Sequence, residues 1–295
     1  MRRGLVITVA LSALATACAG GGGVGQRRQA LLSPRAAGGF EVDVLTDVVS
    51  TLGMSAVGLL MDREKEAWAG QSPCGSPPAD GEAVCDSRVV PPLDRPVTRL
   101  GWRPARRISD VAVLAMIGLP FAVSAADTGA NRLDAENVAV DGLVISQTLA
   151  ATFLTTNLIK VMARRARPFT YNPDFPVLER HEGDARLSFP SGHSSLSFAA
   201  ASVTAVMLLR RYPGRAGALG AAGAYVGASA VAALRVLAGK HFISDVVAGA
   251  ALGIAIGLAF PLAHARGPVE GGETTAAVRA QDRALVPVLS FGGDF

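Results

Sequence analysis

Long uncharged stretches, separated by short polar turns, set the pattern of this chain. They run from Val111 to Ala126, Leu143 to Ile159, Ser194 to Leu209, Ala216 to Leu234 and Val246 to Ala263, with a shorter one from Val48 to Met61. Each is too long for a strand and too apolar all round for a surface helix, so the pattern predicts an all-α helical bundle. Their lengths sit near the short edge of the roughly 17 to 25 residues that cross a bilayer. Several transmembrane helices are expected, and buried core helices would also fit. Alanine and glycine stand where a lipid-facing helix would carry leucine. Gly249, Gly253 and Gly257 form a small-residue stripe that predicts close helix packing.

Composition narrows the class. With 295 residues, 50% hydrophobic, 18% charged and 33 glycines, the chain is too apolar for disorder, and its glycines lack the three-residue period of collagen. The net charge of +4 and a pI near 9.3 do not require a nucleic-acid partner, because the arginines fall in a few clusters. Arg2 and Arg3, the apolar run Leu5 to Ala15 and the small residues Ala15-Thr16-Ala17 read as an export signal over residues 1–17. Cys18 and the run Gly20 to Gly23 resemble a lipoprotein signal with an acylated cysteine; an ordinary signal with an incidental cysteine is the alternative. Residues 18–104 read as an exported linker, a helix and a Pro/Gly-rich loop in which Cys74 and Cys85 form a disulfide or remain free thiols. No histidines accompany that pair, which argues against zinc. Residues 105–265 form the helical core, and 266–295 a tail of unspecified structure. With the signal removed, the cysteine loop lies outside and Lys160 to Pro168 emerges on the outer face, provided the stretch before Met61 does not span. Positive charge is divided: Arg210, Arg211 and Arg215 fit a cytoplasmic turn, whereas Arg95 to Arg107 would sit outside.

Three clusters carry candidate chemistry. In the first, Lys160 and Arg167 stand two helical turns apart with Arg164 between, and Pro168 marks the helix end. Cations so placed clamp a multiply charged anion or anchor a helix at the membrane interface. In the second, Pro190-Ser191-Gly192-His193 precedes a helix whose free amides and dipole suit an anion. His193 there is a candidate proton donor, and plain capping is the alternative. In the third, Arg235 precedes His241 and Asp245, a pair with helix-neighbour spacing in which a carboxylate orients one ring nitrogen and frees the other as a nucleophile. The small-residue stripe continues from Asp245, so the pair should face the bundle interior, where a structural ion pair is the competing role.

In that order, Lys-x6-Arg-Pro, Pro-Ser-Gly-His and Arg-x5-His-x3-Asp, the chain resembles the type-2 phosphatidic acid phosphatase superfamily, which includes bacterial non-specific acid phosphatases and vanadium haloperoxidases. The resemblance covers about residues 105–263, with 21 residues from Pro168 to Pro190 and 41 from His193 to Arg235. It departs from the family at Leu234, where serine is usual. It implies that Lys160, Arg167 and Arg235, with Ser191 and the Gly192 amide, hold phosphoryl oxygens. His241 would attack phosphorus, Asp245 orient it and His193 protonate the leaving group, with no metal and no cofactor. The implied partner is a phosphorylated lipid or small molecule at a membrane, not nucleic acid, and the implied location is the outer face of a bacterial cell envelope. Alternatives are a soluble exported acid phosphatase, a vanadium haloperoxidase and a non-catalytic envelope lipoprotein.

Overall fold

A computed structural model describes residues 39–69, 85–130 and 135–265; the expected signal, Cys18, Cys74 and the tail lie outside them. The long helices are α1 (Val44–Arg63), α3 (Arg103–Gly129), α4 (Ala135–Ala163), α6 (Gly192–Arg211), α7 (Arg215–Leu237) and α8 (Ile243–Ala263). Short helices α2 (Lys65–Ala69) and α5 (Val177–His181) and several single 3₁₀ turns join them. Local chemistry sets the starts. Asp43 caps α1 by accepting from the Thr46 amide, and Pro104 stands in the first turn of α3. Ser191 caps α6, and the Asp245 carboxylate accepts from the Phe242 amide at the start of α8.

Helix α6 is the axis of the bundle, with α3, α4, α7 and α8 packed around it and α1 laid against α4. The stripe Gly249, Gly253 and Gly257 faces α6. A Cβ at Gly249 would lie 2.6 Å from the Ser191 carbonyl oxygen, and one at Gly257 would lie 2.7 Å from that of Ala199. The absence of side chains is therefore what lets α8 approach α6 to backbone distance.

All six long helices are long and apolar enough to cross a membrane. Outward-facing Leu45, Leu52, Leu59, Val111, Leu114, Leu219, Val226 and Val247 are exposed, as lipid-facing positions would be. One stretch is longer than its sequence pattern suggested. The stretch from Val48 to Met61 is part of a 20-residue helix with mean hydropathy 1.7, as long as α6. It therefore has the dimensions of a span, and the sequence pattern had shortened it by stopping before the charged residues at its ends.

The helices alternate in direction, so the bundle has two distinct ends. At one end stand the C-termini of α1, α4 and α7 and the N-termini of α3, α6 and α8. At the other, the Glu41 amide donates to the His264 carbonyl at 2.7 Å. There Arg211 also pairs with Asp127 at 3.1 Å and Asp141 at 2.6 Å, all three buried. These pairs tie the far helix ends together without leaving a buried charge unpartnered. The three sequence clusters lie at the opposite end.

Candidate active site

Lys160 is delivered by the last turn of α4. The helix stops at Ala163, Arg164 takes a positive φ of 44°, and Arg167 is extended, as the residue before Pro168 must be. Lys160 and Arg167 therefore do not share a helical face as their spacing suggested; a loop brings Arg167 in. Its amide is fixed by the Ala185 carbonyl at 2.8 Å. Its guanidinium donates to the Asp184 carbonyl and carboxylate at 2.8 and 2.9 Å and to the Lys240 carbonyl at 3.2 Å. Lys160 reaches the second cluster: a Cβ at Gly192 would sit 3.5 Å from its Nζ. Ser191 is buried, and its hydroxyl oxygen accepts from the Ser194 amide at 3.4 Å. That cap uses a lone pair and leaves the O–H free to donate.

His241 precedes α8 rather than standing on it, so the spacing of His241 and Asp245 does not make them helix-face neighbours. The ring Nδ1 lies 2.8 Å from the Ser188 carbonyl oxygen, and Asp245 Oδ2 is farther, at 3.7 Å. A carbonyl only accepts, so Nδ1 carries the hydrogen and Nε2 keeps its lone pair. Nε2 lies 3.2 Å from Arg167 Nη1. Asp245 accepts instead from Ser188 Oγ at 2.5 Å, Phe242 N at 2.9 Å and Arg165 Nη1 at 2.6 Å. The direct orienting contact is the Ser188 carbonyl, and Asp245 acts through the segment it pins. Upstream of it, Gly239 takes a φ of 64° with the Leu100 carbonyl packed against it, a position where no Cβ fits.

Several residues of the site carry no sequence signal that spacing could reveal. Arg165 bridges Asp245 to the buried Asp94 at 2.7 Å, and Asp94 also accepts from Ser244 N and Oγ at 3.0 and 2.5 Å. On α3, Asp110 Oδ1 lies 2.9 Å from His193 Nε2 and 3.0 Å from Arg235 Nη1. The buried Ser109 hydroxyl accepts from Arg235 at 3.1 Å. A hydroxyl from another helix thus contacts Arg235, although position 234 beside it carries none. A surplus carboxylate or serine between apolar residues looks like an ordinary polar position until the fold sets it against a distant arginine.

Burial, followed by the charges of Arg167, Arg235 and Lys160, holds the His241 pKa well below the usual imidazole value. Burial alone would raise that of Asp184, yet Arg167 and Lys160 hold it far below the carboxylate range. His241 is therefore neutral and Asp184 ionised at neutral pH. Among the described residues no group of three His, Cys, Asp or Glu side chains is placed to hold a metal ion. The arrangement collects cations, amides and two histidines around one point, which is a setting for an oxyanion of high charge.

A family model described as the PAP2 superfamily matches residues 142–267. Over these residues the chain is similar to the PAP2 superfamily. No curated protein and no solved structure matches the chain. The PAP2 match takes in all three clusters, together with Arg165, Asp184 and Ser188. It begins after α3, so Ser109 and Asp110 reach the PAP2 site from outside the matched residues. The PAP2 match supports phosphatase chemistry on phosphoesters.

Proposed function

We propose that this protein is a metal-independent phosphatase that hydrolyses a phosphomonoester or diphosphate on a membrane lipid through a phosphohistidine. The observation that carries the reading is the environment of His241: neutral, with Nδ1–H tied to the Ser188 carbonyl and Nε2 turned toward Arg167. Lys160, Arg167 and Arg235, with the Ser191 hydroxyl and the Gly192 amide, neutralise the phosphoryl oxygens. A bound phosphoryl group takes over the Arg167 donor, and Nε2 attacks phosphorus as the P–O bond to the leaving group breaks. His193, oriented by Asp110, protonates the leaving oxygen. It then takes a proton from water as that water attacks phosphorus and the P–N bond breaks. Phosphoryl transfer asks mainly for position and charge stabilisation, and three cations with a helix N-terminus meet that demand. The lipid assignment is supported by the exposed apolar side chains on the outer helices. We also propose that the site faces outward and that Cys85, which stands at the same end, pairs with Cys74.

His241→Ala is expected to abolish phosphate release, by at least about 10³-fold, while wild-type turnover survives EDTA. Near-full activity of the variant would sink the nucleophile assignment, and loss in chelator restored by magnesium would sink metal independence. The same assay against soluble and lipid phosphoesters separates a lipid phosphatase from a general acid phosphatase, and a silent panel leaves a non-catalytic role.

A further inference from the structure

Beside the phosphate clamp lies an open cavity of about 800 Å³ whose walls include Arg103, Arg106, Arg107, Glu179 and Lys240, with Ile108 and Phe175 among its apolar lining. Four cations face one carboxylate. Glu179 spans two of them, 2.7 Å from Arg106 and 3.3 Å from Lys240. Lys240 is the buried neighbour of His241, with its Nζ over the Phe169 ring at 4.0 Å. Burial draws its pKa down to about 8, against the opposing charge of Glu179. An anion arriving in the cavity would, like Glu179, favour the charged form of Lys240.

The position of the cavity relative to the chemistry is informative. His193 is the proton donor, so the leaving group departs on its side of the clamp. His193 is held by Asp110 on α3 at 2.9 Å. One helical turn before Asp110 on that same helix come Arg106 and Arg107, which face the cavity. A leaving group passing His193 is thus led along the first turns of α3 into a surface with three positive charges in excess. A neutral alcohol gains nothing there, whereas a leaving group that is itself a phosphate meets the guanidinium pairing it suits.

We infer that the cavity formed by Arg103, Arg106, Arg107 and Lys240 is a second anion subsite for the leaving group, and that the preferred substrates are those whose leaving group carries its own phosphate, such as a lipid diphosphate. The inference rests on the phosphatase reading of the His241 site. In the reaction the bond from the terminal phosphorus to the bridging oxygen breaks, the His241 Nε2–P bond forms, and the lipid monophosphate leaves with its charge held by the arginines. Water then cleaves the P–N bond and releases inorganic phosphate.

The test compares an isoprenyl diphosphate with its own monophosphate, in non-ionic detergent free of phospholipid, on the full chain and on Arg106→Gln/Arg107→Gln. The wild type should favour the diphosphate in kcat/KM, and the double variant should lose that preference at least tenfold. A preference within twofold of wild type overturns the inference, and points to arginines that serve bilayer headgroups if the variant also loses binding to phosphatidylglycerol vesicles. Calorimetric binding of methylene bisphosphonate against methylphosphonate gives a readout without turnover. Tighter binding of the bisphosphonate, lost in the variant, supports the subsite even if no substrate is hydrolysed and the phosphatase reading fails; equal affinities overturn it. An Arg103→Gln variant repeats the comparison should the double variant not fold.

Discussion

At the scale of single residues, the site depends on groups that hold other groups. Ser109 is the clearest case, because it donates to the Arg106 carbonyl at 2.7 Å and accepts from Arg235 at 3.1 Å. A hydrogen bond to a charged group is worth about 1.5–3 kcal/mol, and about 1.4 kcal/mol is tenfold in rate. Ser109→Ala is therefore expected to lower kcat/KM roughly tenfold or more, with the folded structure retained by circular dichroism; an unchanged kcat/KM would deny it the orienting role. His241 makes a second prediction. Its folded pKa is depressed, so the ring stays neutral and nucleophilic as pH falls through the ordinary imidazole value of about 6.5. A histidine NMR titration, assigned by the loss of one resonance in His241→Ala, should show this ring titrating below about 6.5. Titration at or above about 6.5 would contradict the electrostatic account.

The chemistry is displayed by the ends of the helices, and the packing between helices decides how well. Gly253 on α8 has the Ala199 amide 2.9 Å from where a Cβ would stand, whereas Gly118 on α3 has nothing within 4 Å. The two glycines make a matched pair. Gly253→Ala should cost about 1–3 kcal/mol by overpacking and pull α8, with His241 and Asp245, away from α6. Gly118→Ala should be neutral or gain up to about 1 kcal/mol through helix propensity. Thermal unfolding in detergent measures both, and equal effects would mean that the stripe does not set the interface. The stripe was legible in the sequence as spacing. That it faces α6 was not, because a small-residue row fits any partner of similar shape. The end of α4 was misplaced for a related reason: Pro168 excludes helix only at its own approach, and the chain had already left the helix at Arg164.

For the whole molecule, direction is the deciding property. The helices alternate, so if all six cross, Asp43 and His264 share one face and the site and Cys85 share the other. An outward site then places Asp43 inside, which a cleaved export signal followed by six crossings does not give. A removed signal and an outward site are therefore compatible on this fold only if α1 does not span. We expect the outward site to hold. A membrane-impermeant maleimide should label Val89→Cys, exposed at the site end, in intact cells but not Gly214→Cys at the far end. The reverse pattern would place the site inside.

The sequence by itself determined the helices, their apolar character and the three clusters, because periodicity and the order of motif residues are properties of the chain alone. It also marked His241 as chemically special, though not the partner that orients it. Only the tertiary structure decided that the Ser188 carbonyl sets the tautomer, that Ser109 holds Arg235, and that Arg106 and Arg107 line a cavity beside Lys240. These contacts join residues far apart in the chain, and no local pattern encodes which distant side chain a fold will bring within hydrogen-bonding reach.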